Sequence, residues 1–482
     1  MTGAAPVGHA RAARGAGRDT TAEDPGSTTT IRRVPVNGTP PPGPGRLGLR
    51  HPAHGVPAEA DATDAGVVTA TARGGPAGAA TTRGGPLDEA DPAHGPRRIE
   101  GLLLGLAAGD AAGWPAARHR AARMPEWTRR LTRELDTFAE QNATTTLPVP
   151  IALNQPPEPL RLGPSDDAEW AAFAARTVLT AAGEPFRHLA PAGRLRAAID
   201  LAWNSLAGQV AAAAERAPEV ESAVLPLRAR ISVHAGLGNL ATGLRPPATG
   251  HDNPHYFDDA ACARAVVLAV VHAGDPLGAA VLAEFDARYT QDGDGVHGAR
   301  AMAAAVATAL GGAGVDDAVD AALAELPEAT EIGRNARHAV KLARAASGAF
   351  ELVPLLEHQI VDHVYSYGIA AAETVPVALA VATAARGRVA EAVPAAVCLS
   401  RVADSAPALA GALTGALGGG VSLPVTWRDA CRTLAGCALP RLAGTDLVEL
   451  AALLEAALRR AATGQATGYA TEHATGAPPG TG

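Results

Sequence analysis

The spacing of apolar residues predicts a series of helices in the central part of the chain. Ala, Leu and Val recur at helical spacing there, whereas Val, Ile and Tyr do not cluster in the alternating runs that strands require. The expected fold is therefore all-α, a compact orthogonal bundle of many helices. We predict helices at 98–112, 168–182, 259–273, 296–310, 316–326, 334–346, 369–385, 389–400, 405–417, 427–435 and 445–460.

Both ends of the chain differ from this region. Residues 1–97 are rich in Gly, Pro, Thr and Ala and poor in large apolar side chains, and residues 463–482 repeat Ala-Thr-Gly units. Such segments bury too little apolar surface to offset the entropy cost of ordering them. We expect a disordered leader at 1–97, one all-α domain at 98–462 and a disordered tail at 463–482.

Composition narrows the class of protein. Hydrophobic residues make up 47% of the chain but aromatic residues only 3%, so the core must consist of small and aliphatic side chains. The net charge of −8 and the lack of a basic run argue against a nucleic-acid partner.

An uncharged stretch at 405–427 is interrupted by glycines and a proline, so no membrane span is expected. Four cysteines without a CxxC pair, and no signal peptide, favour a cytoplasmic protein.

Two short polar stretches, far apart in the chain, have the composition of a metal site. Ser165-Asp166-Asp167 and Asp404-Ser405 each combine a hydroxyl with carboxylate at the start of a predicted helix. Hard cations such as Mg²⁺ prefer oxygen ligands of this kind. Helix starts favour Ser and Asp, and the helix body fixes the direction of their side chains.

A third candidate is a lone acid on the first predicted helix. Gly101, Gly105 and Gly109 are spaced so that another helix can approach closely, and Asp110 is a charge on that buried helix. A buried carboxylate must be paired or hydrogen-bonded. A cap for a neighbouring helix start is the favoured interpretation of Asp110, and a substrate contact is the alternative.

Five motifs in order give the chain a resemblance to a known family. They lie at 101–115, 165–168, 373–379, 404–416 and 423–427, and the first reads GLLLGLAAGDAAGWP. The chain resembles the ADP-ribosylglycohydrolase family over residues 98–460. The resemblance implies an orthogonal bundle of the ADP-ribosylglycohydrolase type. It also implies hydrolysis at the anomeric carbon of an ADP-ribosyl group, which releases a protein or a small acceptor.

The resemblance further implies a centre with one or two Mg²⁺ or Mn²⁺ ions. Its ligands would be Ser165, Asp166 and Asp167 on one side and Asp404 and Ser405 on the other, with Asp166 also catalytic. Metal ions at such a centre orient the ribose hydroxyls and a water molecule and stabilise developing charge.

The chain departs from the family pattern at two important positions. Val402 stands where the family has the first Asp of its second motif, and no Glu follows closely after Pro115. We therefore expect one metal position to be weakened. An alternative function is a degenerate member that binds ADP-ribose or a related nucleotide with little turnover. A third is an all-α interaction protein that keeps only the fold.

Substrate contacts are expected from two loops. Before the helix at 259–273, we assign Asn253 and Tyr256 to substrate binding, with Tyr256 or Phe257 as a candidate to stack on adenine, and the resemblance adds Arg264 within that helix. Asp259 is a candidate substrate contact or general base, and capping of that helix is equally expected. The resemblance also places Tyr367 and Gly368 at the ribose pocket. A turn between two helices is the alternative for those two, and core anchoring is the alternative for Tyr256.

Overall fold

The computed structural model describes residues 97–122, 163–216, 229–362 and 369–474 of the 482-residue chain. These residues belong to one compact unit, residues 84–482. They form sixteen α-helices, four short 3₁₀ helices and two isolated β-bridges, and no strand occurs in these ranges. The all-α prediction is therefore confirmed.

The helices, in chain order, are α1 Arg98–Ala122, α2 Asp166–Ala181, α3 Pro191–Arg216, α4 Ile231–Ala241, α5 Ala248–His251, α6 Ala260–Leu268, α7 Pro276–Ala287, α8 Gly293–Leu310, α9 Val315–Ala324, α10 Glu331–Ala345, α11 Ala349–Gln359, α12 Ala371–Ala384, α13 Val389–Cys398, α14 Ala406–Gly418, α15 Val425–Cys431 and α16 Leu447–Ala474. The 3₁₀ helices are Glu184–Phe186, Ala269–His272, Gly420–Ser422 and Pro440–Leu442. None of the described helices is both long and apolar enough to cross a membrane.

Every predicted helix lies on an observed one, but several helices were not predicted. The sequence analysis missed α3, α4, α5, α7 and α11, of which α3 and α7 begin with proline and α11 contains Pro354. Proline at the first helical position costs little, because the N–H group that it lacks would have no partner there. The predicted end of α15 at residue 435 was wrong. The chain leaves that helix at Cys431, and Thr433 then pairs with Asp446 in a β-bridge.

The two helices α1 and α14 pack along a seam in which their backbones touch. At each of four positions on α1, a Cβ atom would overlap a backbone carbonyl oxygen of α14 or the turn before it. The pairs are Gly101 with Gly415, Gly105 with Gly411, Gly109 with Pro407 and Gly113 with Ala403. At the other end of the seam, Arg98 donates hydrogen bonds to the carbonyl oxygens of Ala416 and Leu417 at the C-terminus of α14. The expected close approach of a second helix to these glycines is therefore observed.

A small aromatic cluster packs α2 against α3 and the segment after α7. Trp170 and Phe173 of α2 contact Trp203 of α3, and Trp203 stacks on Tyr289 with ring centroids 5.7 Å apart. The rest of the core is formed mainly by buried Ala, Leu and Val, as the composition predicts. These ring contacts thus help to fix the first turns of α2.

The ends of the domain are only partly described. Helix α16 continues through Ala474 and so includes part of the segment predicted as a disordered tail. The predicted leader, apart from residue 97, and the last residues of the predicted tail lie outside the described residues.

Candidate active site

Arg230 is the centre of a buried polar cluster to which the starts of several helices contribute. It immediately precedes α4, and 3% of its surface is exposed. Its Nε donates a hydrogen bond to Oδ1 of Asp259 at 3.2 Å. Its Nη1 donates to Asp404, and its Nη2 donates to the hydroxyl of Ser405. Since Asp259 precedes α6 and Ser405 precedes α14, one guanidinium joins three helix starts.

The Ser165–Asp167 segment also belongs to the cluster and is held in place by α1. Oδ2 of Asp110 accepts hydrogen bonds from the backbone N–H groups of Ser165 at 2.7 Å and Ala168 at 3.0 Å. The hydroxyl of Ser165 donates to Oδ1 of Asp166 at 2.9 Å. Asp110 therefore caps the start of α2, which confirms the capping interpretation of this residue.

A second buried acid fixes the same helix from the C-terminal part of the chain. Glu169, in the first turn of α2, is fully buried. Its carboxylate accepts hydrogen bonds from the backbone N–H groups of Cys437, Ala438 and Leu439, each at 2.7 Å. Such charge-assisted bonds are stronger than neutral ones. Glu169 therefore positions the Asp166–Asp167 pair without itself facing Arg230.

Electrostatic interactions connect the two predicted metal-binding stretches, Ser165–Asp167 and Asp404–Ser405. Four carboxylates raise the pKa of Arg230 against the opposing effect of burial: Asp404, Asp259, Asp167 and Asp166. Burial raises the pKa of Asp167 well above its ordinary value, the charge of Arg230 opposes this rise, and Asp110 and Asp166 add to it. Burial also raises the pKa of Asp259 to about 7, again against Arg230. Carboxylates from both predicted stretches thus interact with the guanidinium of Arg230. When all of them are ionised, their negative charge exceeds its single positive charge.

Three buried carboxylate oxygens in and beside the cluster have no hydrogen-bond partner: Oδ2 of Asp167, Oδ2 of Asp259 and Oδ2 of the neighbouring Asp258. The side chain of Thr374 also interacts with the Asp259 carboxylate and opposes the rise of its pKa. A buried acceptor without a partner costs free energy, so such an atom indicates a position where a cation or substrate group can bind. Asp259 makes no side-chain cap at the start of α6. That cap comes from Asp258, whose Oδ1 accepts from the backbone N–H of Ala260 at 3.1 Å.

The two predicted metal positions differ in how well their residues fit a dication. Within the described ranges, no group of three or more His, Cys, Asp or Glu side chains is placed to hold a metal ion. At the second position Asp404 and Ser405 already bind Arg230, and the neighbouring Val402 is apolar and fully buried. That position does not fit a dication. The first position does, because Mg²⁺ binds through one or two carboxylates and keeps several waters, and Asp167 has a free oxygen.

Two of the predicted substrate-binding residues are engaged inside the core. Nδ2 of Asn253 donates to the carbonyl oxygens of Ser232 and Thr290 at 2.7 and 2.9 Å. Arg264 is fully buried, its Nε donates to Asp286 at 2.7 Å, and its guanidinium lies 4.8 Å from the ring centroid of Trp203. The structure gives both residues structural contacts and does not place them beside Arg230.

The remaining predicted contacts lie around the loop before α6. Tyr256 is 44% exposed, and its ring meets that of Phe257 edge to face at 5.8 Å. The core-anchoring alternative for Tyr256 is therefore wrong. A β-bridge joins Asp258 to Ala370, so this loop adjoins the start of α12. Tyr367 and Gly368 lie outside the described residues, and their assignment stays a prediction.

Sequence reasoning missed the residue with the most contacts in the site. Arg230 belongs to none of the five motifs, and the short stretch Arg228-Ala229-Arg230 in which it lies carries no pattern of its own. The only available signal was a balance of charge. Several acids assigned to buried helix starts require a buried base, and such a base had to come from elsewhere in the chain.

Comparison with known proteins identifies the family of this chain. The family model for ADP-ribosylglycohydrolase matches residues 91–463. The chain therefore belongs to the ADP-ribosylglycohydrolase family. Among solved structures, an ADP-ribosylglycohydrolase-related protein complex is similar, with 19% sequence identity and a TM-score of 0.43, over 75% of this chain and 97% of the other. A search of curated proteins gave no match.

Proposed function

We propose that this chain hydrolyses the glycosidic bond of an ADP-ribosyl group and releases a protein side chain or a small acceptor. Membership of the ADP-ribosylglycohydrolase family supports a hydrolase of this type. The observation that carries the proposal is the buried cluster in which Asp166 and Asp167 share Arg230 with Asp404. Acids are rarely kept buried without a partner, and two of the oxygens here still lack one.

The proposal includes one Mg²⁺ or Mn²⁺ ion held by Asp166 and Asp167, with Ser165 in support. The chemistry that such an ion supplies when bound is orientation of the ribose hydroxyls and stabilisation of negative charge. The protein contributes a rigid pair of carboxylates, because Asp110 and Glu169 fix the backbone on both sides of the pair.

Asp259 is the proposed general base. Its pKa of about 7 suits a group that must both accept and release a proton near neutral pH. Its unpartnered Oδ2 can accept a proton from an attacking water, while Oδ1 stays fixed by Arg230. The exposed ring of Tyr256 is the proposed surface for stacking of the adenine base.

Release of ADP-ribose from an ADP-ribosylated arginine peptide tests the proposal. The wild-type protein is incubated with the peptide with Mg²⁺ or Mn²⁺ and with a chelator, and free ADP-ribose is measured. We expect metal-dependent release that falls by at least about 100-fold in Asp167→Asn, because changes beyond the direct ligands already cost about 10–100-fold. The matched control is Asp317→Asn on α9, which removes an exposed acid.

A second candidate function is binding of ADP-ribose without turnover, which the apolar Val402 supports. Calorimetry with ADP-ribose distinguishes the two. Binding together with no release from either arginine-linked or serine-linked peptides would favour this second function. Neither binding nor release would contradict both and leave only the shared fold.

A further inference from the structure

We propose that the guanidinium of Arg230 is a built-in cation that takes the place of a dication at the Asp404–Ser405 turn. The chain then binds one dication, at Asp166 and Asp167, and not two. This inference rests on the proposed function for its metal at the first position. It adds to that function a positioning residue that belongs to none of the sequence motifs.

The contacts of Arg230 are those expected of a cation at this place. Each of its three guanidinium nitrogens has a different partner: Asp259, Asp404 and Ser405. These partners are two carboxylates and a hydroxyl, the oxygen ligands that a hard dication also prefers. Because the guanidinium is planar and rigid, it fixes the relative directions of the three side chains.

The turn itself has no further ligand to offer. Val402 and Ala403, which precede Asp404, are apolar and fully buried. A dication there would have one carboxylate and one hydroxyl from the turn, and Arg230 binds both. Displacing Arg230 would leave a buried charge without a partner, which is strongly unfavourable. The guanidinium and a dication therefore exclude each other at this position.

The charge of the cluster leaves room for one more cation. Four carboxylates act on the single charge of Arg230, so the cluster remains negative when all are ionised. Oδ2 of Asp167 is buried and makes no hydrogen bond, so Arg230 does not occupy it. One dication at Asp167 reduces this excess of negative charge, whereas Arg230 already neutralises the charge of Asp404.

The number of bound ions tests the inference. Metal-free full-length protein is titrated with Mn²⁺, and free Mn²⁺ is followed by electron paramagnetic resonance. We expect one ion per chain for the wild type and for Val402→Asp, in which Arg230 still blocks the position. The double variant Arg230→Ala/Val402→Asp is expected to bind two. Arg230→Lys keeps the positive charge and is expected to remain at one.

Two results would overturn the inference. One is a wild-type stoichiometry other than one ion per chain, which requires no variant to fold. The other is a folded double variant that still binds one ion. Arg264→Ala is the control for loss of a buried arginine, since its partner is Asp286, and it is expected to leave the stoichiometry at one. Failure of the proposed function is distinguishable, because a chain that binds one Mn²⁺ but releases no ADP-ribose keeps this inference and contradicts hydrolysis.

Discussion

Individual buried acids in this protein serve two different purposes. Asp110 and Glu169 each accept hydrogen bonds from backbone N–H groups, and these contacts hold α2 in place. Asp167 and Asp259 instead each keep one buried oxygen without a partner. The first pair is satisfied by the fold, whereas the second pair keeps an acceptor that, under the proposed function, a cation or a substrate group occupies. This difference separates positioning acids from acids available for chemistry.

Titration of Asp259 gives a prediction at this scale. If Asp259 is the base, ADP-ribose release rises with pH through about 7, since only the ionised carboxylate accepts a proton. We expect Asp259→Asn to remove this rise, and a pH–rate profile of both proteins checks it. An unchanged rise in the Asn variant would assign the dependence to another group.

The same group affects stability with a defined sign. The pKa of Asp259 is raised on folding, from its ordinary value of 3.8 to about 7, so between these pH values the folded state keeps a proton that the unfolded state has lost. The contribution of Asp259 to stability is therefore largest below pH 4 and is lost as the pH rises through about 7. Denaturant unfolding at several pH values shows this as a loss of stability that Asp259→Asn lacks.

At the scale of helices, the α1–α14 seam decides where the site residues lie. The seam lies on consecutive turns of α1, and a Cβ there would enter the backbone of the partner. Asp110 follows Gly109 on α1, and Ser405 begins α14, so the seam determines how these two site segments approach each other.

Adding one methyl group to the seam tests its importance. We expect Gly105→Ala to lower the free energy of unfolding by about 1–3 kcal/mol or more, because the new Cβ would overlap the carbonyl oxygen of Gly411. The matched control is Gly208→Ala on the exposed face of α3, where no atom lies within 4 Å of the new methyl. That variant is expected to gain about 0.5–1 kcal/mol. Equal effects in both variants, measured by denaturant unfolding, would contradict the close packing.

Helices with an uninterrupted apolar pattern were predictable from sequence, whereas most of those whose pattern is interrupted by polar residues, Gly or Pro were missed. Helix α12 is buried along its whole length and was predicted within two residues of its ends. Helix α4, which Arg230 immediately precedes, contains two glycines and was missed. The carboxylates of the site were found because they cluster in the sequence. Arg230 lies 174 residues from Asp404 in the sequence and contacts it only in the folded chain. No local sequence pattern indicates such a contact.

At the scale of the whole molecule, the family match and the described helices concern the same region. The match covers residues 91–463, and the described structure begins at residue 97. The boundaries of 98–462 for the domain agree closely with this match, although they stay a prediction, as does disorder in the leader and the tail.

Removal of the leader gives a prediction at this scale. We expect a variant that begins at residue 91 to change the free energy of unfolding by less than about 0.5 kcal/mol, because the Gly/Pro-rich leader contains few side chains able to pack on the bundle. ADP-ribose release is expected to be unchanged. Denaturant unfolding of both proteins checks the first statement, and a clear loss of stability would show that the leader packs on the domain.

The backbone contact between α1 and α14 also limits how the proposed site can change shape. At the four glycine positions on α1 no side chain fits, so substitutions there would force the two helices apart. Under the proposed function, differences in nucleotide selectivity then arise where substitutions are tolerated, as at the exposed Tyr256 in the loop before α6. A library of variants in that loop is therefore the place to seek altered specificity.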